Sequence, residues 1–219
     1  APHRKVSIYD EGNLLAFILD IHIMVNSEGR NSLRNVCVEL YNEFGKKGRG
    51  YTLDDIIGLC NKYAEKEIND LFSRYLFGKN DYFIEIESCL SQLGFRLAEV
   101  SLPVHEHYFG FKTVDGISGK RITMIAPDSP AELSGLSISD EITEINGNAI
   151  GPDLDDVLKN LFQEQKPISF TLARNSVFQK IEIRANQNSG FFTSYSISKI
   201  QDLSADQIKN YKLWHSPLF

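Results

Sequence analysis

The stretch that decides the fold of the second half of the chain is IAPDSPAELSGLSISDEITEINGNAI, residues Ile125–Ile150. Ser129 is a good cap for a one-turn helix that begins at Pro130, a position where no amide donor is needed. Gly135 can end that helix, because a glycine tolerates the positive φ of such an ending. Leu136 then supplies an apolar side chain for a core. The stretch therefore predicts a short helix followed by a turn back toward a packed sheet.

The second part of the same stretch predicts a strand and a hairpin. Asp140 leads into alternating apolar residues, and the pair Asn146–Gly147 favours a tight turn between antiparallel strands. The order of these parts closely resembles the PDZ-domain pattern SPA...AGL..GD.I..ING. Ser139 departs from that pattern, because the family usually has glycine there. We expect serine to fit if the turn does not require a strongly positive φ.

The PDZ resemblance implies a groove for a peptide or protein C-terminus. The sequence YFGF would form the carboxylate-binding loop, whose backbone amides hold a terminal carboxylate, and the peptide would add as a strand beside residues 110–114. The helix predicted in DLDDVLKNLF would flank this groove. The candidate peptide-binding residues are Tyr108, Phe109, Gly110, Phe111, Thr113, Leu154, Val157 and Leu158. A groove that is closed, or used only for packing inside the chain, is an alternative of equal weight.

The first hundred residues are predicted to be helical. Apolar residues recur at helical spacing from Leu14 onward, and Ser32 and Thr52 resemble N-caps of two further helices. A fourth helix is predicted from roughly Lys66 to Leu76. Short strand-like segments separated by turn residues follow, so we expect an α+β chain in which a helical subdomain precedes a PDZ-like small β-barrel or sandwich with two helices. The predicted ranges are 1–101 for the helical subdomain, 102–187 for the PDZ domain and 188–219 for a C-terminal strap and helix.

The N-terminal residues can be interpreted together with the PDZ resemblance. YDEGNLLAFILDIHI, then SLRNVCVELYNEFGKKGRGYTLDDI, then a PDZ pattern and a tail LSADQIKNYKLW are similar to the C-terminal half of the glycyl aminopeptidase family of zinc metallopeptidases. This resemblance implies that Tyr9 matches a tyrosine thought to stabilise the oxyanion beside the metal, a role that a phenol can perform. Glu11 departs from the family, which often has lysine there.

The zinc motif of such enzymes, His-Glu-x-x-His, occurs nowhere in these 219 residues. The resemblance therefore implies a C-terminal fragment of a zinc aminopeptidase-like protein that is not catalytic alone. On this view the chain needs no cofactor, zinc belongs to a longer parent, and the missing N-terminal catalytic half is a partner. The alternatives are a complete non-enzymatic PDZ adaptor and a PDZ domain used only for intramolecular packing.

His105-Glu106-His107 does not match the zinc-protease motif, in which two histidines lie four residues apart on one helix face. In a strand, His105 and His107 would share a face and Glu106 would oppose them. Two ligands without a third do not form a zinc site, so we predict no metal site here.

Composition narrows the classes of partner and compartment. The net charge of −6 argues against nucleic acid, whose phosphates bind clustered Lys and Arg. The longest apolar run, Leu14–Ile23, is interrupted by charged and polar residues and is shorter than the roughly 20 residues that cross a bilayer, so we expect no membrane insertion. The cysteines, which are odd in number and far apart, predict neither a disulfide framework nor a zinc motif; they are Cys37, Cys60 and Cys89. A cytoplasmic and an exported location are both compatible with the sequence.

Overall fold

The computed structural model describes residues 7–151, 153–188 and 190–215. Its helices are α1 (Ile8–Asn26), α2 (Leu33–Glu43), α3 (Leu53–Ala64), α4 (Asn69–Leu71), α5 (Phe83–Gln92), α6 (Pro130–Leu133), α7 (Leu154–Phe162) and α8 (Ala205–His215). Its strands are β1 (Phe95–Glu99), β2 (Phe111–Asp115), β3 (Lys120–Ile125), β4 (Glu141–Ile145), β5 (Asn148–Ala149), β6 (Ile168–Arg174), β7 (Val177–Ile183) and β8 (Tyr195–Lys199). The predicted mixture of helix and sheet is confirmed. No helix among the described residues combines the length and the apolar character needed to cross a membrane.

Contacts divide the chain into two compact units. Among the described residues, one unit, here called the sheet unit, spans Glu99–Ser196, and the other, the helical unit, spans 7–98 and 197–215. The predicted ranges 1–101, 102–187 and 188–219 remain sequence-based predictions. Their parts at residues 1–6, 152, 189 and 216–219 lie outside the described residues.

The core of the helical unit is built around α1. Ile18, Ile21 and Ile23 of this helix are fully buried, as the apolar spacing of the opening stretch leads one to expect. Thr52 begins α3 with a reciprocal capping box: its backbone N–H donates to the Asp55 carboxylate over 2.7 Å, and the Asp55 N–H donates to the Thr52 hydroxyl over 3.2 Å. The predicted cap at Thr52 is confirmed.

The fourth predicted helix begins later than expected, and its second half is a π-helical turn. Lys66–Leu76 was the predicted span, but helix α4 starts at Asn69 and continues as a π-helical turn over Phe72–Leu76. The late start follows from Asn61, whose side-chain oxygen accepts the Ile68 N–H over 2.8 Å and holds the preceding residues out of a helix. Local propensity could not reveal this long-range side-chain bond.

The sheet unit contains an antiparallel sheet with strand order β2-β3-β4-β6-β7, and β5 pairs with β4. The sheet does not close into a barrel, because β2 and β7 do not pair with each other among the described strands. Its core is aromatic: Phe109, Phe111 and Phe170 are fully buried, with ring centroids 6.2 to 6.3 Å apart. A separate two-stranded sheet pairs β1 with β8.

The stretch Ile125–Ile150 folds largely as its residues predict. Ser129 caps α6 by accepting the Glu132 N–H over 3.2 Å, and Pro130 is the first helical residue. Gly135 has a φ of +83°, and the Asn146–Gly147 turn has φ values of +49° and +77°, which suits a hairpin of the type that requires left-handed residues.

Ser139 contradicts the prediction made for it, because its φ is +75°. Its position is held by two backbone bonds: the Ser139 N–H donates to the Ile122 carbonyl over 2.9 Å, and the Asp140 N–H donates to the Ser137 carbonyl over 3.1 Å. A side chain with a Cβ pays a steric cost in this region, which glycine avoids. The turn therefore keeps the glycine-type geometry of the PDZ pattern with a serine in it.

We expect Ser139→Gly to stabilise the chain by about 0.5–1 kcal/mol, since relief of left-handed strain outweighs the added flexibility of the unfolded glycine. Urea denaturation should show a higher midpoint with an unchanged slope. Ser137→Gly is the matched control, since Ser137 is not among the residues with positive φ, and it should destabilise. Equal effects of the two changes would contradict the strain at Ser139.

Candidate peptide-binding site

The loop predicted to hold a carboxylate is a π-helical turn over His105–Phe109 that ends at Gly110. The Gly110 N–H donates to the His105 carbonyl, and the Gly110 carbonyl accepts the Ala126 N–H over 2.8 Å. One of the amides expected to face a ligand is thus bonded within the chain. Because residues 105–109 are a turn and not a strand, the prediction that His105 and His107 share a strand face is wrong.

Gly110 is required by its surroundings as well as by its φ of +79°. A Cβ built on it would lie 2.3 Å from the Ser129 Cβ and 3.1 Å from the Phe191 ring. Any side chain at this position would therefore disturb the fold itself. A charge placed at Gly110 cannot serve as a selective test of ligand binding.

Strand β2 begins directly after this turn and is an edge of the sheet. Phe111 points into the core, while Thr113 is half-buried further along the strand. Among the described strands, only β3 pairs with β2, in an antiparallel register that shifts between Lys112 and Thr113. The other side of β2 can accept a further strand by main-chain hydrogen bonds.

Helix α7 places the three predicted groove residues differently from one another. Leu154 and Leu158 are buried in the core of the sheet unit. Val157 is 36% exposed and lines a cleft of about 310 Å³ together with Ile150 and Leu161. The residues of α7 that contact the π turn are Asp155 and Phe162 instead, which no motif marked in the sequence.

Two aromatic contacts join the turn to its neighbours. The Tyr108 ring stacks on Phe162 with centroids 4.4 Å apart, and the His105 ring lies 5.3 Å from that of Phe111. The sequence predicts Tyr108, Phe109 and Phe111 as candidate residues but does not mark Phe162, because such stacking pairs depend on the tertiary path of the chain.

His105 is an unusual buried group in this site. It is only 7% exposed, and its Nδ1 has no hydrogen-bond partner among the described residues, with the nearest Asp155 carboxylate oxygen at 3.8 Å. Burial lowers the pKa of His105, although the negative charges of Glu106 and Asp155 act in the opposite direction. The ring is therefore held in its neutral form next to a carboxylate.

Tyr9 lies in the first turn of α1 and is 79% exposed. Ser7 caps this helix, because its hydroxyl accepts the Asp10 N–H over 3.3 Å. The cap orients the first turn and leaves the Tyr9 phenol accessible to solvent. This placement is compatible with a phenol that donates to a group outside the described residues, and its predicted catalytic role remains a prediction.

One group of possible metal ligands occurs within the helical unit. The ligand atoms of His22, Glu85 and Cys89 all lie within 4.8 Å of one another. Both oxygens of Glu85 are already engaged, since one accepts from His22 over 2.8 Å and the other accepts from Arg74 over 3.0 Å. Burial raises the pKa of the Cys89 thiol to about 12, so the thiolate that a metal requires is disfavoured. The donor set fits a buried hydrogen-bond network better than a zinc site.

Comparison with known proteins gives one strong likeness of fold. An aminopeptidase N family protein from Idiomarina loihiensis aligns over 94% of this chain with a TM-score of 0.73 and 23% identity. The chain spans 36% of the length of that protein. At this identity the alignment establishes a shared fold.

PDZ domains also align, over smaller parts of the chain. The PDZ domain of EpsC from Vibrio cholerae covers 36% of this chain and 79% of its own, with 20% identity and a TM-score of 0.30. A PDZ domain protein from Parabacteroides distasonis covers 47% of this chain and 22% of its own, with 21% identity and a TM-score of 0.31. No protein-family profile matches the sequence, and no curated protein matches it.

Proposed function

We propose that the chain is the C-terminal, non-catalytic part of a zinc aminopeptidase-like protein, whose sheet unit binds peptides beside β2. The aminopeptidase N-like fold over 94% of the chain supports the first part of the proposal. Tyr9 would then act only together with a zinc-bearing half supplied by the longer protein. Zinc enters the proposal as a cofactor of that half.

The unpaired edge of β2 is the observation that carries the second part. A strand whose second side is free within the described sheet offers main-chain donors and acceptors to an extended peptide. The turn that ends at Gly110 leads directly into this strand, and α7 contacts the turn through Asp155 and Phe162. A peptide or protein C-terminus is the proposed ligand, with Thr113 at the edge and Tyr108 near its end.

The absence of catalysis is tested by metal analysis and a peptidase assay. We expect no tightly held zinc after dialysis and no release of a chromophore from aminoacyl anilides at added zinc. One zinc per chain retained through dialysis, and lost on His22→Ala, would contradict the proposal and point to the His22 cluster. Reading the gene upstream of Ala1 separates a fragment from a complete adaptor, because an in-frame His-Glu-x-x-His favours the fragment.

Peptide binding is tested with an end-labelled octapeptide that ends in an apolar residue with a free carboxylate. Three versions report three kinds of recognition: the free acid, its C-terminal amide, and a form with alternate backbone amides methylated. Strand addition predicts saturable binding that methylation abolishes, and carboxylate capture predicts that the amide binds at least about tenfold more weakly. Absence of saturable binding by all three would contradict the proposal.

A second candidate function is packing alone, and a specific observation favours it. The Gly110 N–H, one of the expected carboxylate-binding donors, is already bonded to the His105 carbonyl. If this bond never opens, the sheet unit is a structural element. Equal binding of the free acid and the amide, or none, is the result that this alternative predicts.

A further inference from the structure

The turn over Val104–Phe109 contacts α7 at both ends of that helix. The Val104 N–H donates to the carboxylate of Asp155 in the first helical turn. The Tyr108 ring stacks on Phe162 at the last helical residue, with centroids 4.4 Å apart. The turn therefore contacts the first and the last turn of the helix.

The same turn also contacts β2. The His105 ring lies 5.3 Å from the ring of Phe111, which opens the strand. The Glu106 carboxylate lies 3.3 Å from the Lys112 ammonium on the next residue of the strand. The turn that ends at Gly110 is thus held against the helix and the start of β2 together, at the end of the strand where a peptide carboxylate would bind.

A third group of bonds holds the outer side of the turn. The Phe191 N–H donates to the His107 carbonyl over 3.0 Å, and the Asn186 N–H donates to the Tyr108 carbonyl over 3.1 Å. These two bonds tie the turn to residues 186 and 191 and are separate from its contacts with α7 and β2.

We propose that the turn Val104–Phe109 keeps the carboxylate-binding end of the peptide groove closed, latched to α7 by Asp155, and that a peptide carboxylate binds there after the turn opens locally. This proposal rests on the proposed function, because it describes the regulation of the same site. Opening would break the Val104–Asp155 bond and release the Gly110 amide from the His105 carbonyl. The released amide would then be free to hold a carboxylate, which reconciles the self-bonded loop with peptide binding.

The buried ring of His105 makes this turn a weaker element than the core beside it. Its Nδ1 is buried with no partner among the described residues, so the closed state leaves one polar group without the bond that water would supply on opening. The other buried polar residues of the sheet unit, Ser129, Asp140 and Thr171, have hydrogen-bond partners, so opening would gain nothing at them. Local opening is therefore expected at the turn and not in β6.

Amide hydrogen exchange on Asp155→Ala tests the latch. We expect exchange at Val104 and Gly110 to accelerate by about tenfold or more, while β6 keeps its protection. Asp156→Ala is the matched control: it removes the neighbouring charge from the same helical turn, but its carboxylate contacts Lys159 and not the turn. The octapeptide acid should bind Asp155→Ala about tenfold more tightly than the unchanged protein, because less free energy is needed to open the turn before binding.

A second variant distinguishes local opening of the turn from a general loss of structure in Asp155→Ala. Glu106→Gln removes the ion pair with Lys112 and leaves α7 untouched, and it should accelerate exchange at Gly110 in the same direction by a smaller factor. Unchanged exchange at Val104 and Gly110 in Asp155→Ala would overturn the latch, and peptide binding could still be real. Accelerated exchange with no peptide binding by any variant would support local opening and contradict the proposed function.

Discussion

Replacing Arg174 by methionine is expected to lower the free energy of unfolding of the sheet unit by about 3 kcal/mol. Arg174 donates two hydrogen bonds of 2.6 Å to Asp140, from Nε to Oδ1 and from Nη2 to Oδ2. Asp140 is only 2% exposed, so the methionine variant would leave a buried carboxylate without its cation. A substitution that removes one partner of a buried ion pair lowers the free energy of unfolding by far more than the intact pair contributes to it.

The surrounding bonds enlarge this effect. The Arg174 Nη2 also donates to the Gly135 carbonyl over 2.7 Å, and Asp140 accepts the Ser137 N–H over 2.7 Å. The pair thus ties the end of β6 to the turn after α6, which contains the strained Ser139. Loss of the cation should loosen that turn together with the strand.

Thermal and urea denaturation of Arg174→Met would measure the loss. Arg121→Met is the control, because Arg121 is an exposed arginine on the neighbouring β3 and should change stability by no more than about 0.5 kcal/mol. A loss below about 1 kcal/mol for Arg174→Met would show that water replaces the guanidinium at Asp140.

Replacing Glu85 by alanine is expected to destabilise the helical unit by about 2–3 kcal/mol, since a buried acceptor common to three donors is removed. The donors are His22 at 2.8 Å, Arg74 at 3.0 Å and the Tyr75 hydroxyl at 3.2 Å. Tyr75 is buried, so its hydroxyl loses its carboxylate partner without gaining full access to water. Glu87→Ala, an exposed position on the same helix, is the matched control.

We also expect the Glu85 carboxylate to make the stability of the helical unit depend on pH. Burial acts to raise the pKa of Glu85, but the hydrogen bond and charge of His22, the charge of Arg74 and the Tyr75 bond outweigh it and hold the pKa below its ordinary value. The stabilisation is therefore complete above the unfolded pKa of about 4.3 and is lost as pH falls through the lower folded value. Stability curves of Glu85→Ala and the unchanged protein should converge in acid. Parallel curves down to that range would contradict a charged Glu85.

Much of the local structure was predictable because it depends on neighbouring residues. The caps at Thr52 and Ser129, the helix end at Gly135 and the turn at Asn146–Gly147 follow from side chains that satisfy or avoid nearby backbone groups. The late start of α4 was not predictable, because Asn61 acts on it from another helix. The aminopeptidase-like and PDZ-like resemblances came from the order of such local parts.

The sequence by itself thus determined those helix ends and turns that depend on neighbouring residues, and it predicts a carboxylate-binding loop at Tyr108–Phe111. Only the tertiary structure decided that the sheet is open, that Leu154 and Leu158 face the core, and that the turn containing His105 lies against α7. The physical reason is the separation along the sequence between the residues that bond to each other. Caps and turns are governed by bonds between residues about three apart, whereas the contact of Val104 with Asp155 joins residues 51 positions apart and exists only after the sheet has formed.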